Sequence, residues 1–284
     1  MSKLDPAVRP QVGQIANEVR KELTDAFNSC MKQLTEIALE QKLQQEQIDI
    51  TVPGHQPIIA VYHPITAMIE ELEDFFLGIG YQVEDGPEIE NDNYNFNLLN
   101  IPKEHPARDM QDSFYLEDDL LLRTHTSPAQ IRCMQRKAGQ VLRMISPGRV
   151  YRRDRDDATH SHQFHQFEVM AIDKELTIGD LHGLLDHFLR QLLGPQIQLR
   201  FRASYFPFTE PSLEVDIKHP QKGFVEVLGA GMIHPYVLQK THAQFTGFAI
   251  GVGVDRLVML RHGIEDIRVI YENDLRLLTQ LRSK

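Results

Sequence analysis

The most polar stretch of the chain runs Pro147-Gly-Arg-Val-Tyr-Arg-Arg-Asp-Arg-Asp-Asp-Ala-Thr-His-Ser-His-Gln-Phe-His-Gln-Phe-Glu168. Four arginines fall between Arg149 and Arg155, with three acids and three histidines following closely. Guanidinium groups are planar, permanently charged donors matched to phosphate and carboxylate oxygens, so the segment could clamp phosphates and contact a carboxylate. A solvated hairpin loop has the same composition, and the segment alone does not separate the two readings. His160, His162 and His165 also raise a metal site, but His-x-His-x-x-His is not a specific ligand spacing and no acidic partner is fixed beside it.

A second cluster, Gly247-Phe-Ala-Ile-Gly-Val-Gly-Val-Asp-Arg-Leu-Val-Met-Leu260, reads as an apolar strand, two glycines that let the backbone turn, and a helix with Arg256 in its first turn. An arginine there adds its charge to the N–H groups of a helix start, a reasonable seat for a γ-phosphate. No GxxxxGK[ST] occurs, and no βαβ unit follows the glycines, so neither a P-loop nor a dinucleotide fingerprint is present.

These residues need a scaffold, and 284 residues suffice for one large domain or a domain with an appendage. Val12, Ile15, Val19, Leu23, Phe27, Met31, Leu34 and Ile37 recur by threes and fours, predicting a long amphipathic helix from Val12 to about Leu43. Its narrow stripe is that of a coiled-coil arm seeking a partner helix. Thr51-Val-Pro-Gly54 closes this region, giving an expected division into an arm over 1–50 and a globular domain over 51–284. His63-Pro64 then opens a helix with the face Ile65, Met68, Ile69, Leu72, Phe75 and Phe76, followed by a strand at Tyr81–Val83 and a stop at Gly86-Pro87. Further strands are expected near 113–116, 120–123, 141–145, 167–172, 198–201, 213–217, 224–228 and 245–250, with helices near 127–136, 178–193 and 254–261. Neighbouring strands, rather than strict alternation with helices, predict an α+β fold with a mostly antiparallel sheet and helices on one side.

The formal net charge of −10 disfavours non-specific binding of polyanions, so any nucleic acid would meet a local basic patch or a partner's surface. The beginning of the sequence carries no apolar run, no stretch is long enough to span a bilayer, and Cys30 and Cys133 form no CxxC pattern. A soluble protein of the cytoplasm is expected.

Helix-strand-proline ending at Pro87, the arginine hairpin at Arg152 and Gly-x-Gly-x-Asp-Arg256 resemble, in this order, motifs 1, 2 and 3 of class II aminoacyl-tRNA synthetases. Tyr94-Asn-Phe-Asn-Leu-Leu-Asn-Ile-Pro102, His105-Pro-Ala-Arg-Asp-Met-Gln-Asp112, Arg123-Thr-His-Thr-Ser-Pro128, Phe164-His-Gln166, Ser204-Tyr-Phe-Pro-Phe-Thr-Glu-Pro-Ser212 and Gly229-Ala-Gly-Met-Ile-His-Pro235 are similar to bacterial phenylalanyl-tRNA synthetase alpha subunits. The resemblance covers essentially all of residues 50 to 284. It implies the class II antiparallel sheet flanked by helices, ATP-dependent activation of L-phenylalanine as an adenylate, and transfer to tRNA-Phe. It also implies an α2β2 assembly in which a larger beta subunit carries editing.

By motif position, the resemblance implies Arg152 at the α-phosphate, Arg256 at the γ-phosphate, Phe164 stacked on adenine, Asp154 near its amino group and His160 close to the phosphates. Glu210 is the implied Mg²⁺ ligand. Gln166 and Glu168 match positions around the substrate ammonium, with His125 and Ser127 in the adjoining loop. Phe206 and Phe208 match the walls around the phenyl ring, and their alternation about Pro207 would let both rings face one way as an edge-to-face pair. Ala249 matches the small residue at the end of the pocket. The chemistry suits arginines, since a carboxylate already ionised at neutral pH needs alignment and charge neutralisation rather than a general base.

The chain departs from the family pattern at Val169, where glycine is usual, and at Asp255, where glutamate is usual. By the same resemblance, the arm over 1–50 is expected to be the second helix of a hairpin whose first helix would stand before Val12. A synthetase-like paralogue that binds an amino acid or a partner protein, and an adenylating enzyme with a non-tRNA acceptor, are the alternative readings.

Overall fold

The computed structural model describes residues 9–46, 49, 51, 54, 62–110, 113–220 and 223–281, which divide into two compact units, 1–59 and 60–284. In the first unit, helix α1 (Arg9–Gln45) includes the predicted Val12–Leu43 stripe and has no buried residue within the described chain. Ile15, Leu23, Phe27, Leu34 and Leu43 are all exposed along it. The expected break after the helix falls partly on Val52 and Pro53, outside the described residues, as does Asp112 of the quoted motifs.

The second unit opens with α2 (Pro64–Gly78), whose His63 cap accepts from the N–H of Ile65 and whose proline sits where no N–H is needed. There follow β1 (Gln82–Val83), β2 (Ile89–Asn91), α3 (Asp92–Asn95), α4 (Pro106–Met110), β3 (Tyr115–Glu117), β4 (Leu120–Leu122) and α5 (Ser127–Arg136). A long hairpin of β5 (Leu142–Tyr151) and β6 (Gln163–Asp173) leads to α6 (Ile178–Leu193), capped by reciprocal Thr177–Asp180 bonds worth about 1 kcal/mol. The chain continues through β7 (Leu199–Phe206), β8 (Thr209–His219), β9 (Gly223–Ile233), α7 (Pro235–Leu238) and β10 (Thr246–Gly253). It finishes in α8 (Val254–His262), α9 (Arg268–Tyr271) and α10 (Leu275–Gln280).

Seven strands form one sheet in the order β1-β5-β6-β10-β9-β8-β7; only the β1–β5 pair is parallel, and β2-β4-β3 make a small second sheet. Strand alternation then sorts the side chains. Phe167, Val169 and Ala171 of β6 and Phe248, Ile250 and Val252 of β10 enter a core with Met68, Leu72 and Phe76 of α2, Leu181 and Leu185 of α6, and Leu257 and Val258 of α8. Met144, Met170 and Ile172 face the other way, onto Ile131, Cys133 and Met134 of α5 and Phe96, Leu99 and Ile101. Helices therefore pack on both faces of the sheet, beyond the one side that strand order alone suggested.

One expectation about local geometry changes. Gly251 and Gly253 make no turn: both lie in β10, which passes directly into α8, and neither has a positive φ. Val169 is fully buried between Ile145 and Ile250 on the face packed by α2, α6 and α8, so its branched side chain points away from Glu168.

Candidate active site

On the face shared with α5, paired positions of β9 and β10 carry almost no side chain. Ala249 lies opposite Gly231, and Gly251 opposite Gly229. These small residues form a floor on which longer side chains rest. A Cβ on Gly229 would stand 2.8 Å from Phe206 Cζ, and one on Gly251 would stand 3.1 Å from Gln166 Nε2. Phe206 and Phe208 stack near-parallel, with centroids 6.0 Å apart and planes 12° apart, instead of edge to face. Phe208 and Ala249 both pack against the α5-side core, and Phe208 also stacks beside His125 at 6.3 Å.

Beside this apolar end, Glu168 is 3% exposed and takes side-chain hydrogen bonds from Ser127 Oγ at 2.7 Å, Gln130 Nε2 at 2.6 Å and Gln166 Nε2 at 3.2 Å. Burial outweighs these donors and lifts its pKa to about 7. His125 is held neutral, its pKa depressed to about 3 by burial and then by the charge of Arg152. Its Nε2 faces the carbonyl of Asn95 at 2.9 Å and must carry the proton, leaving Nδ1 to accept from Ser127 Oγ at 2.7 Å. Ser127 has one hydroxyl proton for two acceptors. A protonated Glu168 resolves the shortage by donating to Ser127, which then donates to His125. Gln166 Oε1 is buried without a hydrogen-bond donor, an acceptor suited to an ammonium N–H.

Gln166 also lines a cavity of about 310 Å³ together with Arg152, Asp154, His160, Phe164, Glu226, Gly251, Gly253, Asp255 and Arg256. The five residues assigned to the nucleotide from sequence thus meet in one cavity, and Gln166 joins it to the Glu168 cluster. Arg152 Nε donates to the carbonyl of Thr124 at 3.3 Å, and its guanidinium lies 5.1 Å from the Phe164 ring centre. Burial pulls the Arg152 pKa down, with Asp154 and Glu168 opposing, but a guanidinium stays charged. Arg256, in the first turn of α8, donates to the carbonyl of Glu226 at 3.3 Å. The histidines engage separate partners: His160 meets Asp157, His162 meets Asp156, and His165 meets Tyr271.

Asp255 is buried and doubly bonded despite its short side chain. It accepts from the N–H of His165 at 2.6 Å and from the Tyr271 hydroxyl. Glu210 lies outside the cavity with its side chain 73% exposed and Oε2 3.2 Å from His234 Nε2. Among the described residues no group of three or more His, Cys, Asp or Glu could hold a metal by itself, but Mg²⁺ beside a nucleotide needs only one or two protein carboxylates, its other oxygens coming from phosphate and water.

Several residues here went unassigned from sequence. Gln130 could have been found, since it follows Ser127 by three positions and shares its helix face. Glu226 is an acid inside an apolar strand, a detectable signal. The floor glycines and Tyr271 depend on strand register and on the packing of the last helices, which no local pattern reveals.

An antiparallel sheet with a nucleotide-sized cavity lined by two arginines, next to a buried carboxylate and an aromatic slot, has the form of an amino-acid-activating site. The chain belongs to the class II tRNA synthetases: residues 47–281 match the model of the tRNA synthetases class II core domain (F), and residues 1–43 match the aminoacyl tRNA synthetase class II N-terminal domain. Its curated relatives include phenylalanine–tRNA ligase alpha subunits. That of Enterococcus faecalis is 50% identical over 302 residues, covering 100% of this chain and 86% of the relative. Those of Shouchella clausii (99% and 86% covered) and Pelotomaculum thermopropionicum (100% and 87% covered) are each 49% identical.

Proposed function

We infer that this chain activates L-phenylalanine with ATP and transfers it to tRNA-Phe, as the catalytic alpha subunit of a phenylalanine–tRNA ligase. The carrying observation is Gln166, which belongs both to the arginine-lined cavity and to the buried Glu168 cluster, so that one side chain borders both substrates. With ATP along the cavity, Phe164 faces the adenine, Arg152 the α-phosphate and Arg256 the γ-phosphate, with Asp154 and His160 at the rim. Gln166 and Glu168 receive the ammonium, His125 and Ser127 orient Glu168, and Phe206, Phe208 and Ala249 enclose the ring. A carboxylate oxygen of the amino acid bonds to the α-phosphorus as the bond to the leaving pyrophosphate breaks. Arg152 offsets the charge that gathers there, already oriented by Thr124 and at little reorganisation cost.

Magnesium would accompany the nucleotide's phosphates, where it screens their charge. Glu210, the ligand the resemblance implies, and Glu226, which lines the cavity with Arg256, are the carboxylates proposed to approach it. Residues 1–50 act as an arm and 51–284 as the catalytic domain, a division in keeping with the two family matches. An α2β2 assembly with a beta subunit is the proposed working form, and the cytoplasm its place of action; no helix among the described residues is long and apolar enough to cross a membrane.

Phenylalanine-dependent ATP–pyrophosphate exchange, run with and without the beta subunit, tests the activation step. Exchange is expected at least in the complex. Its absence in both preparations would overturn the enzymatic reading in favour of an amino-acid-binding paralogue, and exchange without charging of tRNA-Phe by the complex would redirect it to another acceptor.

A further inference from the structure

The ladder between β6 and β10 ends at Gln166–Gly253, because β10 runs straight into α8. Past that point the N–H of His165 has no strand carbonyl opposite it on the β10 side. Asp255 Oδ2 takes the bond instead at 2.6 Å, so a side chain continues the ladder by one rung. The other oxygen of this carboxylate accepts from the Tyr271 hydroxyl. That hydroxyl also lies 3.2 Å from His165 Nδ1, and the two rings stack with centroids 6.2 Å apart. Burial and the neighbouring Asp255 push the Tyr271 pKa upward, keeping the hydroxyl a donor.

The short helix carrying Tyr271 is itself tied to the loop that forms one side of the cavity. Ile267, at its start, lines the cavity and donates its N–H to the carbonyl of Ala158 at 2.9 Å. Near its end, the carbonyl of Ile270 accepts from His63 Nε2 at 3.0 Å, since His63 Nδ1 is already occupied by the N–H of Ile65. Along β6, alternate side chains face opposite ways: Phe164 and Gln166 toward the cavity, His165 toward Asp255 and Tyr271.

We propose that Tyr271 is a positioning residue for the activation site, acting through Asp255 to fix the backbone of His165 and thereby the two cavity side chains on either side of it. Phe164 and Gln166 would be secured through a carboxylate at the cavity wall, Asp255, held in turn by Tyr271, which does not line the cavity. The kinetic readouts rest on the function proposed above; the structural readout does not.

The test is a cycle of Tyr271→Phe, Asp255→Asn and the double variant, made in the full chain co-purified with its beta partner. Loss of one hydrogen bond to a charged group predicts that Tyr271→Phe raises the KM values for ATP and for phenylalanine together, each about fivefold to tenfold, with kcat changed by about twofold or less. In the Asp255→Asn background the same change should add little, because its effect runs through the carboxylate. Hydrogen exchange of the 163–168 segment, measured on the same samples, should be faster in Tyr271→Phe. Unchanged KM values with unchanged exchange, or additive effects in the double variant, would overturn the proposal. If the unaltered protein gives no phenylalanine-dependent pyrophosphate exchange, the functional reading fails while the 163–168 exchange rates still decide the role of Tyr271.

Discussion

Replacing Glu168 by glutamine would separate the two jobs of this buried carboxylate. Its pKa rises from an ordinary 4.5 to about 7 because burial opposes its charge. Between those values the folded chain keeps a proton that the unfolded chain has released, so stability falls as pH rises through the window and levels off above it. About 1.4 kcal/mol per pH unit puts the cost of the ionised form near 3 kcal/mol. Glutamine imitates the protonated state: its amide N–H can donate to Ser127 at the Oε1 position while its oxygen accepts from Gln130 at the Oε2 position, at the loss of the longer bond from Gln166. The variant should match the parent in stability near pH 4.5 and exceed it by about 1–3 kcal/mol at pH 8, or roughly 3–10 °C in Tm. Substrate binding should move oppositely, since an ammonium held by a carboxylate loses a charged partner. The KM for phenylalanine should rise about 10²-fold in pyrophosphate exchange, with the KM for ATP little changed. In the parent, the KM for phenylalanine should itself rise as pH drops below about 7, where Glu168 takes up its proton. Thermal unfolding across pH and exchange kinetics supply both readouts. A variant whose stability follows the parent across the whole window, or whose phenylalanine KM is unchanged, would refute the reasoning.

Ala249→Gly removes the methyl at the end of the slot and should admit para-halogenated phenylalanines, improving their relative kcat/KM by about tenfold; unaltered selectivity would show that Ala249 does not border the ring. Gly229→Ala should drive Phe206 from its seat, since the new Cβ would meet its Cζ at 2.8 Å. The KM for phenylalanine should then rise about tenfold with that for ATP unchanged, whereas equal rises in both would indicate general distortion. Arg256→Ala should lower the exchange rate by about 10²-fold or more while phenylalanine binding, followed by calorimetry, is retained. Loss of both would assign Arg256 a structural role instead.

Much of this arrangement was legible in the sequence, and what was not has a physical cause. The helices at 127–136 and 178–193 match their expected limits because an apolar face and clear ends coincide in each. The strands extend past their apolar runs into polar residues: β6 starts at Gln163 rather than Phe167, and β8 starts at Thr209 rather than Leu213. Those polar residues include Phe164's neighbours and Gln166, so hydrophobicity faded where the site begins. A proline removes a ladder donor, yet Pro147 lies within β5 because it sits beyond Met144 and Ile145, where β1 pairs, and so costs no ladder bond on that side. The arginines, Glu168 and the phenylalanine pair were legible as residues, but the 12° stacking of those rings and the meeting of Gln166 with both clusters depend on register between distant strands.

The alternation along β6 has a consequence for how such a protein can change over time. From Phe164 to Val169, even-numbered positions face the side of the cavity and odd-numbered positions answer chiefly to the fold: Phe164 and Gln166 line the cavity and Glu168 is bonded to Gln166, while Phe167 and Val169 are sealed into the core and His165 is bonded to Asp255 and Tyr271. Adjacent letters of one strand are thus exposed to separate selective pressures. Val169 illustrates the freedom this creates, because a departure one position from Glu168 alters the packing that supports the site without entering the space the substrate would occupy.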